Sequence, residues 1–148
     1  MGSRDRRSLE SGAQPHHPVA LIGSAQEWSS RALASLLQAK GYAVLLAHTG
    51  EATRVQARTS HPDLILLDTT LTDMDDLELC RALRDDPLVA PRTPIITLSD
   101  HQPTADQRLA ALQAGASDVL SPPLHVEDVY RKVDACVGAT RVADEAPE

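Results

Sequence analysis

Pro62-Asp63-Leu64-Ile65-Leu66-Leu67-Asp68 runs straight into Thr69-Thr70-Leu71. Four successive apolar residues between two aspartates read as a short strand covered on both faces, because a strand with one wet face would alternate apolar and polar positions. Asp68 is then a charged group at the carboxyl end of a buried central strand. Four more apolar runs of strand length occur at 19–22, 43–47, 95–98 and 118–120, separated by segments of helical period. Such alternation predicts an α/β domain, a doubly wound five-stranded parallel sheet with five helices. Right-handed crossovers would gather the loops that begin at Gly23, Asp68, Ser99 and Ser121 at one edge of the sheet, where open α/β sheets place their sites.

The helical segments carry their own punctuation. The first sets Trp28, Ala32, Leu33, Leu36 and Leu37 on one apolar stripe and stops at Lys40-Gly41, glycine being suited to the left-handed residue after a helix. The second is expected over about 51–58. The third turns Leu77, Cys80 and Leu83 inward, with Asp75 as N-cap and Asp76 and Glu78 favourable in its first turn. Thr104-Ala105-Asp106-Gln107 has the form of a capping box and opens a fourth helix that ends near Gly115. The fifth places Val126, Val129, Tyr130, Val133 and Val137 at helical spacing before Gly138.

The length, 148 residues, suits one domain, assigned to 18–139, with a disordered arm at 1–17 and a disordered tail or linker start at 140–148. A net charge of −7 argues against binding nucleic acid or an anionic membrane through this domain. With no Phe, one Trp and two Tyr, stacking platforms for single strands are scarce and the core must come from Leu, Val, Ile and Ala. Cys80 and Cys136 are far apart and fit no metal-ligand or redox spacing, which suits core packing in a reducing, cytoplasmic setting. No apolar run approaches the ~20 residues of a membrane helix. Neither GxGxxG nor GxxxxGK[ST] occurs, so a nucleotide-binding enzyme of this fold class is unsupported.

Together with Gly41-Tyr42, Pro94-Ile95-Ile96 and Gly115-Ala116-Ser117-Asp118, the segment ending at Asp68 resembles the receiver domain of two-component response regulators, and the resemblance covers 19–137. It implies a flavodoxin-like (βα)5 fold, a signalling role without enzyme activity, Asp68 at the phosphoacceptor position and Ser99 at the switch-hydroxyl position. It also implies a set of helpers that this chain lacks. Ser24 and Ala25 stand where the family has an acidic pair for Mg²⁺, Pro122 stands in place of the lysine, and Val119 in place of an aromatic switch. Thr72-Asp73-Met74-Asp75-Asp76 replaces a loop that usually holds a proline and two glycines, whereas Pro123 fits the family's cis proline. Mg²⁺ prefers carboxylate and water oxygens, and only Asp68, the Thr70 carbonyl and Gln26 remain, with Glu27 drawn into the first helical turn.

Two readings follow. One is a degenerate receiver that needs no cofactor and works by protein–protein interaction, with a histidine kinase, a phosphotransfer protein or another signalling protein as partner. A homodimer through the fourth and fifth helices belongs to the same reading, with Arg108, Gln113, Tyr130 and Arg131 as its exposed candidates. The other keeps phosphotransfer from a histidine kinase to Asp68 with Mg²⁺. Against both stands a plain structural account: Asp68 bonding nearby backbone, Ser99 as a loop hydroxyl or cap, and Asp73, Asp75 and Asp76 capping a helix. His16, His17, His48, His61, His101 and His125 show no ligand pattern, and Arg4, Arg6 and Arg7 form a small cluster in the arm.

Overall fold

In the computed structural model, which describes residues 17–145, the five apolar runs become strands and each is followed by a helix. The order is β1 (Val19–Gly23), α1 (Glu27–Ala39), β2 (Ala43–Ala47), α2 (Gly50–Ser60), β3 (Leu64–Asp68), α3 (Asp76–Asp85), β4 (Ile95–Leu98), α4 (Ala105–Gln113), β5 (Asp118–Leu120) and α5 (Val126–Glu145). All strand pairs are parallel and the sheet order is β2-β1-β3-β4-β5, the flavodoxin-like arrangement. β3 is therefore central, and its Leu64 to Leu67 are fully buried because helices cover both sides. Met1 to His16, including Arg4, Arg6 and Arg7, lie outside the described residues, as do Ala146 to Glu148.

Strand alternation divides the core in two. Leu21, Ile65, Leu67, Ile95 and Val119 face α2, α3 and α4, where they meet Ala57, Leu79, Cys80, Leu83 and Ala111. Ala20, Ile22, Leu64, Leu66, Ile96, Leu98 and Leu120 face α1 and α5 and meet Leu33, Leu37, Val129 and Val133. Among the described residues no helix is long and apolar enough to cross a membrane.

Local signals act where expected at three helix ends. Asp75 accepts from the N–H groups of Leu77 and Glu78 while Glu78 reaches back to the Asp75 N–H, and Thr104 with Gln107 repeats that reciprocal cap on α4. Gly41 follows α1 at φ +98°, a left-handed value that glycine takes without a Cβ penalty.

Two expectations need correction. Trp28 is 77 % exposed, and the inner face of α1 is Ser30, Leu33, Ala34 and Leu37, so the buried stripe is rotated from the one read off the apolar residues. Ser30 is admitted because its hydroxyl donates to the Glu27 carbonyl at 2.9 Å, leaving no unpaired polar group inside. The fifth helix does not stop at Gly138 but continues to Glu145, through most of the span assigned to a tail. A glycine inside a helix costs only about 1 kcal/mol against alanine, too little to end one without a left-handed turn.

The fold is also tied by a side chain that carries no sequence signature. Arg84, near the end of α3, donates from Nε to the Gly115 carbonyl at 2.9 Å and from Nη1 to the carbonyls of Pro91 at 2.9 Å and Thr93 at 2.7 Å. One guanidinium thereby fastens the entry to β4 and the turn before β5, and its burial lowers its pKa from the ordinary value.

Candidate functional site

The carboxyl ends of β1, β3, β4 and β5 bring together most of the residues singled out in the sequence. Asp68 closes β3 and is only partly buried, in contrast to the four sealed residues before it. Its Oδ2 accepts from the Ser24 hydroxyl at 2.8 Å, and its Oδ1 from the Thr70 backbone N–H at 3.2 Å. Ser24 is fully buried and sits at the hub of a small network: its Oγ also lies 3.4 Å from Thr70 Oγ1 and accepts from the Gln26 N–H at 3.1 Å. The neighbouring Ala25 N–H donates to Thr70 Oγ1 at 3.0 Å. The first βα turn and the β3–α3 turn are thus joined by hydroxyls and amides.

The remaining acidic residues are placed apart from this network. Asp73 does not serve α3; its two oxygens accept from the N–H groups of Gly50 at 2.7 Å and Glu51 at 3.0 Å, so it caps α2 from across the loop. Those bonds hold its carboxyl below the usual range. Asp75 is engaged in the α3 cap. Asp76 is half-buried, and its pKa is raised by burial first, then by the charges of Asp75 and Asp68. Among the described residues no group of three or more His, Cys, Asp or Glu is arranged to hold a metal ion. Nor does an ion pair of the described residues include Asp68 or Asp76.

Ser99 follows β4, but its hydroxyl is engaged locally, donating to the His101 carbonyl at 2.6 Å and accepting from the His101 N–H at 3.3 Å. Pro122 offers only its carbonyl, which accepts from the Gln102 side chain at 2.7 Å. The Pro122–Pro123 bond is cis, as the resemblance implied. His48 is not simply solvated: its Nδ1 lies 3.1 Å from the Ser24 carbonyl. His101 pairs with Asp100 at 2.7 Å, which raises the imidazole pKa and lowers that of the carboxyl.

On the expected partner surface, Gln113 and Arg131 are exposed, and Arg108 is half-buried beside Asp118 at 3.7 Å. Tyr130 belongs elsewhere. Its hydroxyl donates to the Leu36 carbonyl at 2.8 Å and its ring lies 5.0 Å from Lys40 Nζ, so it seals the seam between α1 and α5. The apolar part of the α4 surface is Leu109 and Leu112, which are exposed and were not read from the sequence.

The family model described as response regulator receiver domain matches residues 25–134. Response regulator MprA of Mycobacterium avium is 33 % identical over 110 residues, 74 % of this chain and 46 % of that protein. The alkaline phosphatase synthesis transcriptional regulatory protein PhoP of Bacillus subtilis is 33 % identical over 112 residues, 76 % of this chain and 45 % of that protein. The chain therefore spans about half the length of the curated relatives it matches. Among solved structures, a two-component response regulator from Clostridium difficile superposes with a TM-score of 0.73 at 28 % identity, covering 82 % of this chain and 96 % of that one. The receiver domain of sensor histidine kinase PA1611 from Pseudomonas aeruginosa, which carries a magnesium ion in its active site cleft, gives 0.73 at 26 % identity over 83 % of this chain and 99 % of that one.

Proposed function

This chain belongs to the response regulator receiver domain family, and from that premise we propose that it is a degenerate receiver, a signalling module that acts by protein–protein contact rather than by aspartyl phosphate. The observation that carries the reading is the partner set of Asp68: a serine hydroxyl at 2.8 Å and one backbone N–H at 3.2 Å. In-line attack of a carboxylate on phosphorus gathers negative charge, and catalysis of that step depends on a metal ion and cationic groups fixed around it. Here Ser24 offers a hydroxyl where a metal needs carboxylate oxygen, Ala25 offers none, and Pro122 brings no cation. The donor set does not fit Mg²⁺, a hard ion that demands near-ideal octahedral oxygen coordination. A cytoplasmic setting and a histidine kinase, a phosphotransfer protein or a second copy of the chain as partner complete the proposal. The exposed Leu109, Leu112 and Gln113 on α4 supply an apolar and polar patch for that contact.

One observation favours the second reading, in which Asp68 still accepts a phosphoryl group with Mg²⁺: Asp68 is partly exposed, unlike the sealed residues before it on β3. Amide spectra during Mg²⁺ addition separate the two. The expected result is that Gly23, Asp68 and Thr70 shift no more with MgCl₂ than with NaCl of equal ionic strength, and that Ser24→Asp with Ala25→Asp creates a saturable response at those residues. A saturable Mg²⁺ response in the unaltered protein, confined to them, supports the second reading instead.

A further inference from the structure

We propose that the cavity between the end of β4 and the start of α4 is a binding site for a guanidinium group. The cavity measures about 160 Å³ and is lined by Asp76, Thr97, Ser99, Ala111 and Val119 among others. Asp68 is not among the lining residues, and its carboxylate is present in both readings, so the proposal depends on neither.

Two independent features call for a donor-rich cation there. Asp76 is a half-buried carboxylate whose pKa is raised by burial and by the like charges of Asp75 and Asp68, and no lysine or arginine of the described residues pairs with it. A carboxylate partly removed from water and left without a counter-ion is stabilised by any cation able to reach it. Thr97 is 3 % exposed, lines the same cavity, and its hydroxyl has no hydrogen-bond partner among the described residues. A hydroxyl whose little remaining surface opens on the cavity accepts a hydrogen bond from a donor that enters.

The walls choose between cations. Val119 and Ala111 make one side apolar, which disfavours a strongly hydrated metal ion or ammonium. A guanidinium is planar and weakly hydrated, can meet a carboxylate through two N–H groups, and still has donors left for a hydroxyl. The small side chain at Val119 leaves the space open. His101, at the mouth, is engaged by Asp100 at 2.7 Å and Gln107 at 3.2 Å, so its charge is balanced locally.

The test uses the full chain and methylguanidinium chloride, followed by amide shifts against NaCl of equal ionic strength. Saturable shifts at Thr97, Ser99 and Val119 are expected, with affinity reduced at least about tenfold in Asp76→Asn and several-fold in Thr97→Val, which keeps the side-chain volume. A second arm replaces the probe with the blocked tripeptide Gly-Arg-Gly. Equal or tighter binding of the peptide supports the site with a protein-borne arginine as its source, and binding of the free ion alone supports it with a small molecule. Shifts that match NaCl, or that persist unchanged in an Asp76→Asn protein melting like the parent, overturn the proposal.

Discussion

Leu67→Ala lowers the stability of the domain by about 3–4 kcal/mol, as deletion of a fully buried leucine does when the cavity cannot close. The site offers little room for collapse. Leu67 sits on the central strand, in register with Gly23 of β1 and Thr97 of β4, and its side chain joins the core under α2, α3 and α4. Backbone pairing on both sides holds the strand in place, so neighbouring side chains cannot move in to fill the gap. Because a domain of this size holds only about 5–15 kcal/mol in total, the loss is a large share. Urea unfolding followed by circular dichroism should show a lower midpoint with an unchanged slope. A loss below about 1 kcal/mol would mean that β3 is less tightly enclosed than its zero exposure indicates.

Arg84→Met is expected to cost about 3 kcal/mol, although methionine keeps most of the aliphatic stem. What disappears is the donor for three carbonyls: Gly115, Pro91 and Thr93. Pro91 is exposed and its carbonyl recovers water, whereas Thr93 is 6 % exposed and its carbonyl loses its charged donor. Arg84→Lys should recover only part of the loss, since a single ammonium cannot reproduce the planar fork that spans the three acceptors. The check is urea unfolding of both variants together with hydrogen exchange of the Thr93 and Ala116 amides, which should quicken in Arg84→Met. Equal stability of the lysine variant and the parent would show that charge alone, not geometry, fastens these loops.

How far the sequence could be read depended on the range of the interaction. β3 was legible because burial on both faces writes itself as a run of apolar residues, and the caps at Asp75 and Thr104 because they act within three residues. The phase of α1 was misread at Trp28 because Ser30, a polar residue with its own carbonyl partner, occupies the inner face. Gly138 was misread because a glycine ends a helix only where the chain also turns.

At the site, the position of Asp68 at the end of β3 was plain. That Ser24 would turn inward and donate to Asp68 joins residues 44 apart, and nothing in either local segment announces it. Asp73 shows the same limit: its spacing suggested the start of α3, yet it caps α2. Arg84 and Thr97 went unread for the same reason, since an arginine near a helix end and a threonine in a strand are ordinary until the loops around them are placed.

The central claim is that Asp68 lies in a receiver fold without the groups that make its phosphorylation fast. Incubation with Mg²⁺ and acetyl phosphate, followed by intact mass measurement, tests it most directly. The parent chain is expected to keep its unmodified mass. A Mg²⁺-dependent gain of one phosphoryl group that disappears in Asp68→Asn would contradict it.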